Sequence, residues 1–317
     1  MDSYEGEKYY CNSTNVYETI NKYGVAIIPK LISDIECNNM INGMFDYLKY
    51  ITNNKININE NTWKYYFNLY PTQSMILQFW GIGHAQYIWD LRQNKKIIDI
   101  FSKIYNTNDL LVSFDGAGIS FPPEITGRGW SPNVFNYHCD QSFIRNDFEC
   151  IQSWINAYDT NIGDATLAFI EKSNIYHKEF NETFKINNKD DWFKLNDEHK
   201  NFYLNLGCEE KKITCPKGSL VLWDSRTIHT GIRPHKNRII QNSRCVVYLC
   251  YQPKKLINMI NIKKKQKAFN ELRTTSHYPC KIKLFSKNPR TYGGDIPDIK
   301  NINTPILSDI GLSLAGF

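Results

Sequence analysis

The sequence lacks the features of several large protein classes. Its nine cysteines are an odd number and contain no Cys-x-x-Cys pair, which fits neither a disulfide framework nor a thiolate zinc site. No apolar stretch approaches the ~18 residues that span a bilayer. The first residues, MDSYEGEKYY, are acidic and aromatic, unlike a signal peptide. We therefore expect an intracellular, cytoplasmic protein with no membrane span.

The excess of positive charge is small. The 317 residues include 38 Lys and Arg against 32 Asp and Glu, for a formal net charge of +6, and 42% of them are hydrophobic. This composition is ample for a buried core but falls short of a nucleic-acid-binding signature. The lysine run at 263–267 is typical of a solvated helix face, so nucleic acid is not an expected partner. Nothing in the sequence determines the oligomeric state.

Hydrophobic periodicity predicts helices near the start of the chain. The stretch YGVAIIPKLI, at 23–32, predicts a strand, and the next segment predicts a helix because Ser33 and Glu36 have the spacing of a capping box. Residues 84–105 carry apolar side chains near helical spacing and predict one further helix. The chain therefore begins with a helical region.

From Leu110 onward the sequence becomes rich in short β-forming segments. They are separated by Gly, Pro, Asn and Asp and read LLVSFDGAGISF, FNYHCDQSF, CIQSWINAYD, ATLAFIEKS, KITCPKGSLVLWD, RTIHTGI and RCVVYLCYQP. Such spacing favours a sandwich or barrel. Without a repeat or a linker, we expect a single domain over 1–317: a helical region to about 108, a β core over about 109–253, and a helix and tail over about 254–317. The predicted fold class is mainly β with flanking helices, or α+β.

One pair of residues in the β-rich part has the spacing of metal ligands. In a strand, residues i and i+2 face the same way, so His138 and Asp140 would project together. With a distant histidine they would complete the two-His-one-carboxylate triad that binds non-haem iron. The alternative is a core histidine hydrogen-bonded to the aspartate, and spacing alone leaves both interpretations open.

Among the other histidines, His229 is the natural third ligand. It lies in a strand-like run after a Gly-Ser turn, GSLVLWDSRTIH, whereas His235 lies in a polar loop. His177 is also followed two residues later by an acid, but its charged surroundings indicate a helix or turn, where i and i+2 do not share a face. We therefore expect His177 at the surface.

An arginine after His229 suggests a binding site for a carboxylate. Arg244 opens the strand RCVVYLCY, which could return to the same cavity, and a guanidinium holds a carboxylate bidentately. Arg233 and Arg238 lie in the intervening loop and are expected to be solvated, with Arg238 as the fallback. Arg244 could equally be a charge at a strand end on the surface.

The whole pattern resembles the phytanoyl-CoA dioxygenase family of iron(II)- and 2-oxoglutarate-dependent oxygenases, which have a double-stranded β-helix (jelly-roll, cupin-like) core. The resemblance covers most of the chain. It is carried by YGVAIIPKLISDIE, YHCDQS, QSWINAYDTNIGDATLAFIEKSN, GSLVLWDSRTIH and SRCVVYLCY. The carboxylate at 140 is present, which argues against the related halogenases, where a small residue occupies this position.

The resemblance implies both a cofactor and site residues. His138, Asp140 and His229 would bind Fe(II), and Arg244 would bind 2-oxoglutarate, with O2 as the third reactant. Trp154 matches a position that lines the co-substrate pocket, although such a tryptophan also serves as a core residue. The implied activity is hydroxylation of a small organic molecule, with release of succinate and CO2.

Three alternatives remain at the level of sequence. The same fold could hydroxylate a macromolecule, in which case a flat basic rim would surround the metal. A cupin-like metalloenzyme could use the triad without 2-oxoglutarate, and it would not need Arg244. A jelly-roll binding module could have lost catalysis altogether. The tail over 273–317 is expected either to cover the site or to pack as a terminal extension.

Overall fold

The computed structural model describes residues 3–132 and 136–317. Met1, Asp2 and Phe135, which belong to segments interpreted above, lie outside the described residues. Within those two ranges, no helix combines the length and the apolar composition that crossing a bilayer requires.

The described chain begins with helices, continues with strands and ends with helices. The α-helices are α1 Val16–Tyr23, α2 Asp34–Ile51, α3 Gln86–Arg92, α4 Lys95–Tyr105, α5 Pro123–Thr126, α6 His177–Phe184, α7 Asp197–Asn205, α8 Met259–Asn270 and α9 Asp309–Ala315. The strands are β1 Tyr4–Glu5, β2 Val25–Ile28, β3 Ile76–Leu77, β4 Leu110–Val112, β5 Ala117–Ser120, β6 His138–Cys139, β7 Ile151–Asn156, β8 Thr166–Ile170, β9 Phe193–Lys194, β10 Glu210–Ile213, β11 Leu220–Asp224, β12 His229–Ile232 and β13 Arg244–Pro253. A β-rich middle flanked by helices agrees with the predicted mixture of helix and sheet.

The described strands form two mostly antiparallel sheets. The first has the order β1-β10-β8-β12-β6-β9, and the second has the order β2-β11-β7-β13-β5-β3, with β4 also paired to β13. The parallel pair is β1 and β10. Strands distant in sequence thus become neighbours, so that β6 lies beside β12 and β7 lies beside β13.

The two sheets share a core because alternate side chains of each strand point between them. Trp154 and Val221 of the second sheet belong to one hydrophobic cluster with Leu167 and Phe169 of the first. The other side of the second sheet, including Cys245, packs against α2, α3 and α4. The outer side of the first sheet packs against α6 and α7. The result is a sandwich with helices on both outer faces.

The first predicted helix is confirmed, and the second is corrected. α2 begins after Ser33, whose hydroxyl accepts from the backbone of Glu36 while the Glu36 carboxylate accepts from the backbone of Ser33 at 2.7 Å. Residues 84–105 form two helices, α3 and α4, instead of one. The break occurs because the Asn94 side chain accepts from the backbone N–H of Lys96 at 3.0 Å, which starts a new helix.

The expectation that the lysines of α8 are solvated is wrong for Lys265. Its side chain is fully buried, its Nζ donates to the carbonyl of Val112, and it lies 3.9 Å from the centroid of the Phe114 ring. Burial lowers the pKa of Lys265 from 10.5 to about 7, because the charged form loses its hydration. The lysine thus joins α8 to the second sheet.

Candidate active site

Strand alternation brings His138 and Asp140 to the same side of β6. Cys139, between them, packs in the outer cluster of the first sheet with Phe143 and Phe180. Since neighbouring residues of a strand face opposite ways, His138 and Asp140 point toward the inside of the sandwich. The Nε2 atom of His138 lies 3.6 Å from Oδ1 of Asp140.

His229 completes a cluster of three ligand-type side chains. It lies directly opposite His138 in the β6–β12 pair, and residues so paired point to the same face. Its Nε2 is 3.5 Å from Oδ2 of Asp140, and the two imidazole centroids are 4.5 Å apart. One ligand atom from each residue lies within 4.8 Å of the other two. The structure therefore brings together the three predicted residues, while metal binding stays a prediction.

Both imidazoles are oriented by the backbone. Nδ1 of His138 lies 3.0 Å from the carbonyl oxygen of Asn136, and Nδ1 of His229 lies 2.9 Å from that of Thr227. A carbonyl can only accept, so each Nδ1 carries the proton. Each Nε2 is then left with a lone pair, which is the arrangement that a metal-binding histidine requires.

The protonation states of His138 and Asp140 also suit a cation. Burial, together with the nearby His229, lowers the pKa of His138 to about 4, so its imidazole is neutral at pH 7. Burial by itself raises the pKa of Asp140, but the two histidines outweigh it and hold that pKa well below its usual range. A neutral imidazole and an ionised carboxylate are ready to accept a metal without releasing protons.

Gln152 is a site residue that the sequence analysis missed. On β7 it faces the inside of the sandwich, and its Nε2 donates to Oδ2 of Asp140 at 2.7 Å. Its Oε1 is buried and has no hydrogen-bond partner among the described residues. The only available signal was its position two residues before Trp154, which places both side chains on the same face of one strand.

Arg244 and Trp154 lie deeper between the sheets. Arg244 is 6% exposed, and its guanidinium carbon lies 5.1 Å from the centroid of the buried Trp154 ring. Nη1 donates to the carbonyl of Ala165 at 3.0 Å, whereas Nε is buried without a hydrogen-bond partner in the described chain. Arg244 is therefore not a surface charge, and one of its donors is left for another molecule.

Gly118 packs closely beside this unsatisfied donor. A Cβ atom at this position of β5 would lie 3.2 Å from Nε of Arg244, 3.1 Å from the hydroxyl of Tyr248 and 2.7 Å from Cγ2 of Val246. The position thus admits only glycine without a shift of its neighbours, and we call the place where its backbone meets the guanidinium of Arg244 and the phenol of Tyr248 the cradle. A carboxylate is the group that such a pair of donors would hold.

The expectation that Arg238 is solvated is wrong. Its side chain is completely buried, with Nη2 at 2.9 Å from Glu124 and Nη1 at 2.6 Å from Asp164. Arg238 also donates to the carbonyl of Asn242 at 3.0 Å. The loop holds a compensated ion-pair network, which sequence spacing could not reveal and which leaves Arg238 poorly suited to bind a further carboxylate.

His177 is not at the surface, although it lies away from the triad. It is 1% exposed, and its ring stacks on Phe143 with centroids 4.5 Å apart. Gln141 is also turned away, because its Nε2 donates to the carbonyls of Arg145 and Asp147 at 2.6 and 2.7 Å. Both residues stabilise the outer part of the first sheet.

Two curated proteins are similar to this chain in sequence. A protein of Aspergillus versicolor named "Ava biosynthesis cluster protein O" is 27% identical over 212 residues, which cover 63% of this chain and 65% of the relative. A protein of Dictyostelium discoideum named "Putative phytanoyl-CoA dioxygenase" is 28% identical over 133 residues, or 40% of this chain and 37% of the relative. The chain thus spans less than two thirds of either relative. No family model matches the chain.

A solved structure shares the fold. The "Putative Oxidoreductase" from Salmonella typhimurium LT2 superposes with a TM-score of 0.60 at 11% sequence identity. The superposition covers 98% of this chain and 86% of the other. At this identity the likeness describes the fold alone, and the arrangement of sheets and helices is therefore not unique to this sequence.

Proposed function

Because the chain belongs to a phytanoyl-CoA dioxygenase-like family, we propose that it is a non-haem iron(II)- and 2-oxoglutarate-dependent oxygenase acting on a small organic molecule. Two facing antiparallel sheets, covered by helices on their outer sides, support a double-stranded β-helix core. The proposal treats the chain as one oxygenase domain in which the helices serve as a scaffold.

The proposal rests on two sets of side-chain atoms, one suited to iron and the other to the carboxylate of 2-oxoglutarate. His138, Asp140 and His229 present two imidazole nitrogens and a carboxylate to one point, the set typical of non-haem iron with open positions. Arg244 offers a buried unsatisfied Nε beside the cradle at Gly118, which suits the distal carboxylate of 2-oxoglutarate. A site for the metal alone would not explain the second donor set.

Each residue has a definite task in this reaction. When bound, iron(II) would supply the oxidative decarboxylation of 2-oxoglutarate by O2, coupled to hydroxylation of a C–H bond. Asp140 is held in position by Gln152, and the two histidines by backbone carbonyls. Arg244 and Trp154 would bind and orient the co-substrate in a dry part of the sandwich, where a charge-assisted hydrogen bond is strong.

The charges near the site favour a small molecule over a macromolecule. A flat basic rim would suit an acidic protein surface or a nucleic acid. Instead, Arg145 pairs with Glu149 and Asp191, and Lys281 pairs with Glu149. These two cations are neutralised by carboxylates at close range, so they add little net positive potential.

The test is an anaerobic titration of the purified protein with iron(II) and then 2-oxoglutarate. The visible charge-transfer absorption of a chelated keto acid should appear in the wild type, disappear in His138→Ala, and persist in His199→Ala, which changes a half-buried histidine on α7. The band should require more 2-oxoglutarate in Arg244→Gln.

The outcomes separate the alternatives. Iron binding without the band, and activity that ignores Arg244, would overturn the proposal in favour of a metalloenzyme that does not use 2-oxoglutarate. Failure of the wild type to bind iron would instead indicate a non-catalytic binding module. Succinate formation in the presence of O2, measured on the same samples, checks that the band reports a competent complex.

A further inference from the structure

Strand pairing places Trp192 beside the candidate metal site. In the β6–β9 pair Phe193 lies opposite Cys139, and the backbone N–H of Trp192 donates to the carbonyl of Asp140 at 3.4 Å. Residues that lie opposite each other in an antiparallel pair point to the same face. Trp192 is therefore on the side of Asp140 and His138, and its indole lies 5.8 Å from the His138 ring, centroid to centroid.

Packing within the chain does not account for this tryptophan. Its side chain is 53% exposed, whereas the adjacent Phe193 packs 5.3 Å from Phe143 and 6.1 Å from Phe180, centroid to centroid. Its φ is +76°, in the left-handed region that a bulky residue rarely adopts. The surrounding structure thus fixes an aromatic surface in a strained conformation and leaves about half of it exposed.

A charged clamp holds the loop that carries Trp192. The adjacent Asp191 accepts from Arg145, and Nε of Arg145 also donates to Glu149 at 2.6 Å. Glu149 in turn pairs with Lys281 of the C-terminal segment at 3.3 Å. The clamp ties the loop both to the β core and to the tail, so the indole is placed before any ligand arrives.

We propose that Trp192 is a specificity-determining residue that stacks against a flat, ring-bearing part of the substrate. The inference rests on the proposed function, because it places the substrate next to the His138 ligand. An indole face gains most from a planar partner, since both surfaces are rigid and little conformational entropy is lost on contact. A flexible chain would have to be ordered on the same surface and would gain less.

An unsatisfied acceptor beside Asp140 favours a ring that carries a hydroxyl group. Oε1 of Gln152 is buried and has no hydrogen-bond partner among the described residues. Nε2 of the same side chain donates to Oδ2 of Asp140 at 2.7 Å, so this acceptor lies beside the candidate metal site. A hydroxyl group on the ring would donate to it, whereas a bare hydrocarbon would leave it unsatisfied.

The test uses a matched pair of probes, 2-naphthol as a planar ring alcohol and 1-octanol as a flexible alcohol. The full chain, loaded with zinc(II) and 2-oxoglutarate so that no turnover occurs, carries 5-fluorotryptophan. The Trp192 resonance is assigned by its loss in Trp192→Phe. Saturable movement of that resonance with 2-naphthol, and about tenfold weaker binding of 1-octanol, is the expected result.

Variants test whether the indole itself binds. Dissociation constants for 2-naphthol from equilibrium dialysis should rise about tenfold in Trp192→Ala. They should rise much less in Trp192→Phe, and not at all in Tyr50→Ala, a control that removes a similarly exposed aromatic side chain on α2. Equal binding of the two alcohols, an unmoved Trp192 resonance, or wild-type affinity in Trp192→Ala would each overturn the proposal.

The iron(II) and 2-oxoglutarate band separates this inference from the proposed function. Trp192→Ala should keep the band at wild-type 2-oxoglutarate concentrations, because Trp192 contacts neither Arg244 nor the cradle at Gly118. A wild type that binds 2-naphthol at Trp192 but gives no band would overturn the proposed function alone. Loss of the band in Trp192→Ala would overturn the assignment of Trp192 to the substrate.

Discussion

Replacing Arg244 by glutamine should weaken 2-oxoglutarate binding with little effect on the fold. The glutamine side chain ends near the position of Nε, so it also loses the single hydrogen bond that Nη1 of Arg244 donates to the carbonyl of Ala165 at 3.0 Å. Binding of the co-substrate loses the charge-assisted hydrogen bond from Nε, which is worth about 1.5–3 kcal/mol. We expect the dissociation constant to rise by about one to two orders of magnitude.

Arg238→Gln is the matched control, because the same change is made to a second buried arginine. Nη1 and Nη2 of Arg238 lie within 2.6 and 2.9 Å of Asp164 and Glu124. Removing one partner of a buried ion pair costs about 3–5 kcal/mol of folding stability. This variant should therefore unfold at lower urea while binding 2-oxoglutarate as the wild type does.

Two measurements on each variant show which arginine binds 2-oxoglutarate and which stabilises the fold. Anaerobic titration of the iron(II)-loaded protein gives the dissociation constant of 2-oxoglutarate, and urea unfolding followed by circular dichroism gives the free energy of unfolding. If Arg238→Gln loses co-substrate affinity while Arg244→Gln keeps it, the assignment of the two arginines is reversed. Unchanged affinity in both would show that neither holds the carboxylate.

Three further changes have distinct expected results. Gln152→Leu removes the donor to Asp140 and should weaken iron(II) binding about 10- to 100-fold in a competition assay with a chelator, whereas Gln252→Leu should not. Gly118→Ala places a Cβ 3.2 Å from Nε of Arg244 and so displaces this guanidinium; it should weaken 2-oxoglutarate binding more than iron(II) binding, and equal weakening of both would indicate general distortion. The pKa of Lys265 is about 7 in the folded protein and 10.5 in the unfolded chain. Between pH 7 and 10.5 the unfolded chain therefore binds more protons than the folded protein, and the free energy of unfolding rises with pH in this range. Unfolding free energies should increase by about 2 kcal/mol from pH 7 to 9 relative to Lys265→Met, and parallel curves for the two proteins would contradict this.

The triad could be predicted because strand geometry is local. The two-residue spacing of His138 and Asp140 determines that they share a face wherever the strand lies. A position after a Gly-Ser turn was enough to select His229. The capping box at Ser33 could also be predicted, because both of its hydrogen bonds form within four residues.

The errors arose where distant parts of the chain decide the environment of a residue. Arg238 and Lys265 were predicted to be solvated because their partners, Glu124 and the carbonyl of Val112, are far away in sequence. His177 is buried by an aromatic cluster drawn from several elements. Gln152 needed the β7 register before its contact with Asp140 could be seen. Local pattern therefore identifies candidate ligands better than it identifies the groups that support them.

Residues 187–190, in the loop between α6 and α7, contact the rest of the protein through their main chain. The carbonyls of Asn188 and Lys189 accept from Ser142 and Arg145, at 2.8 and 3.5 Å, and the side chains over 187–190 are exposed. A main-chain acceptor is present whatever residue occupies the position, so these side chains can change with little loss of folding stability. In the proposed enzyme, selection could therefore alter the range of molecules accepted beside Trp192 without disturbing the candidate ligands, and a library randomised over 187–190 is the natural starting point for engineering.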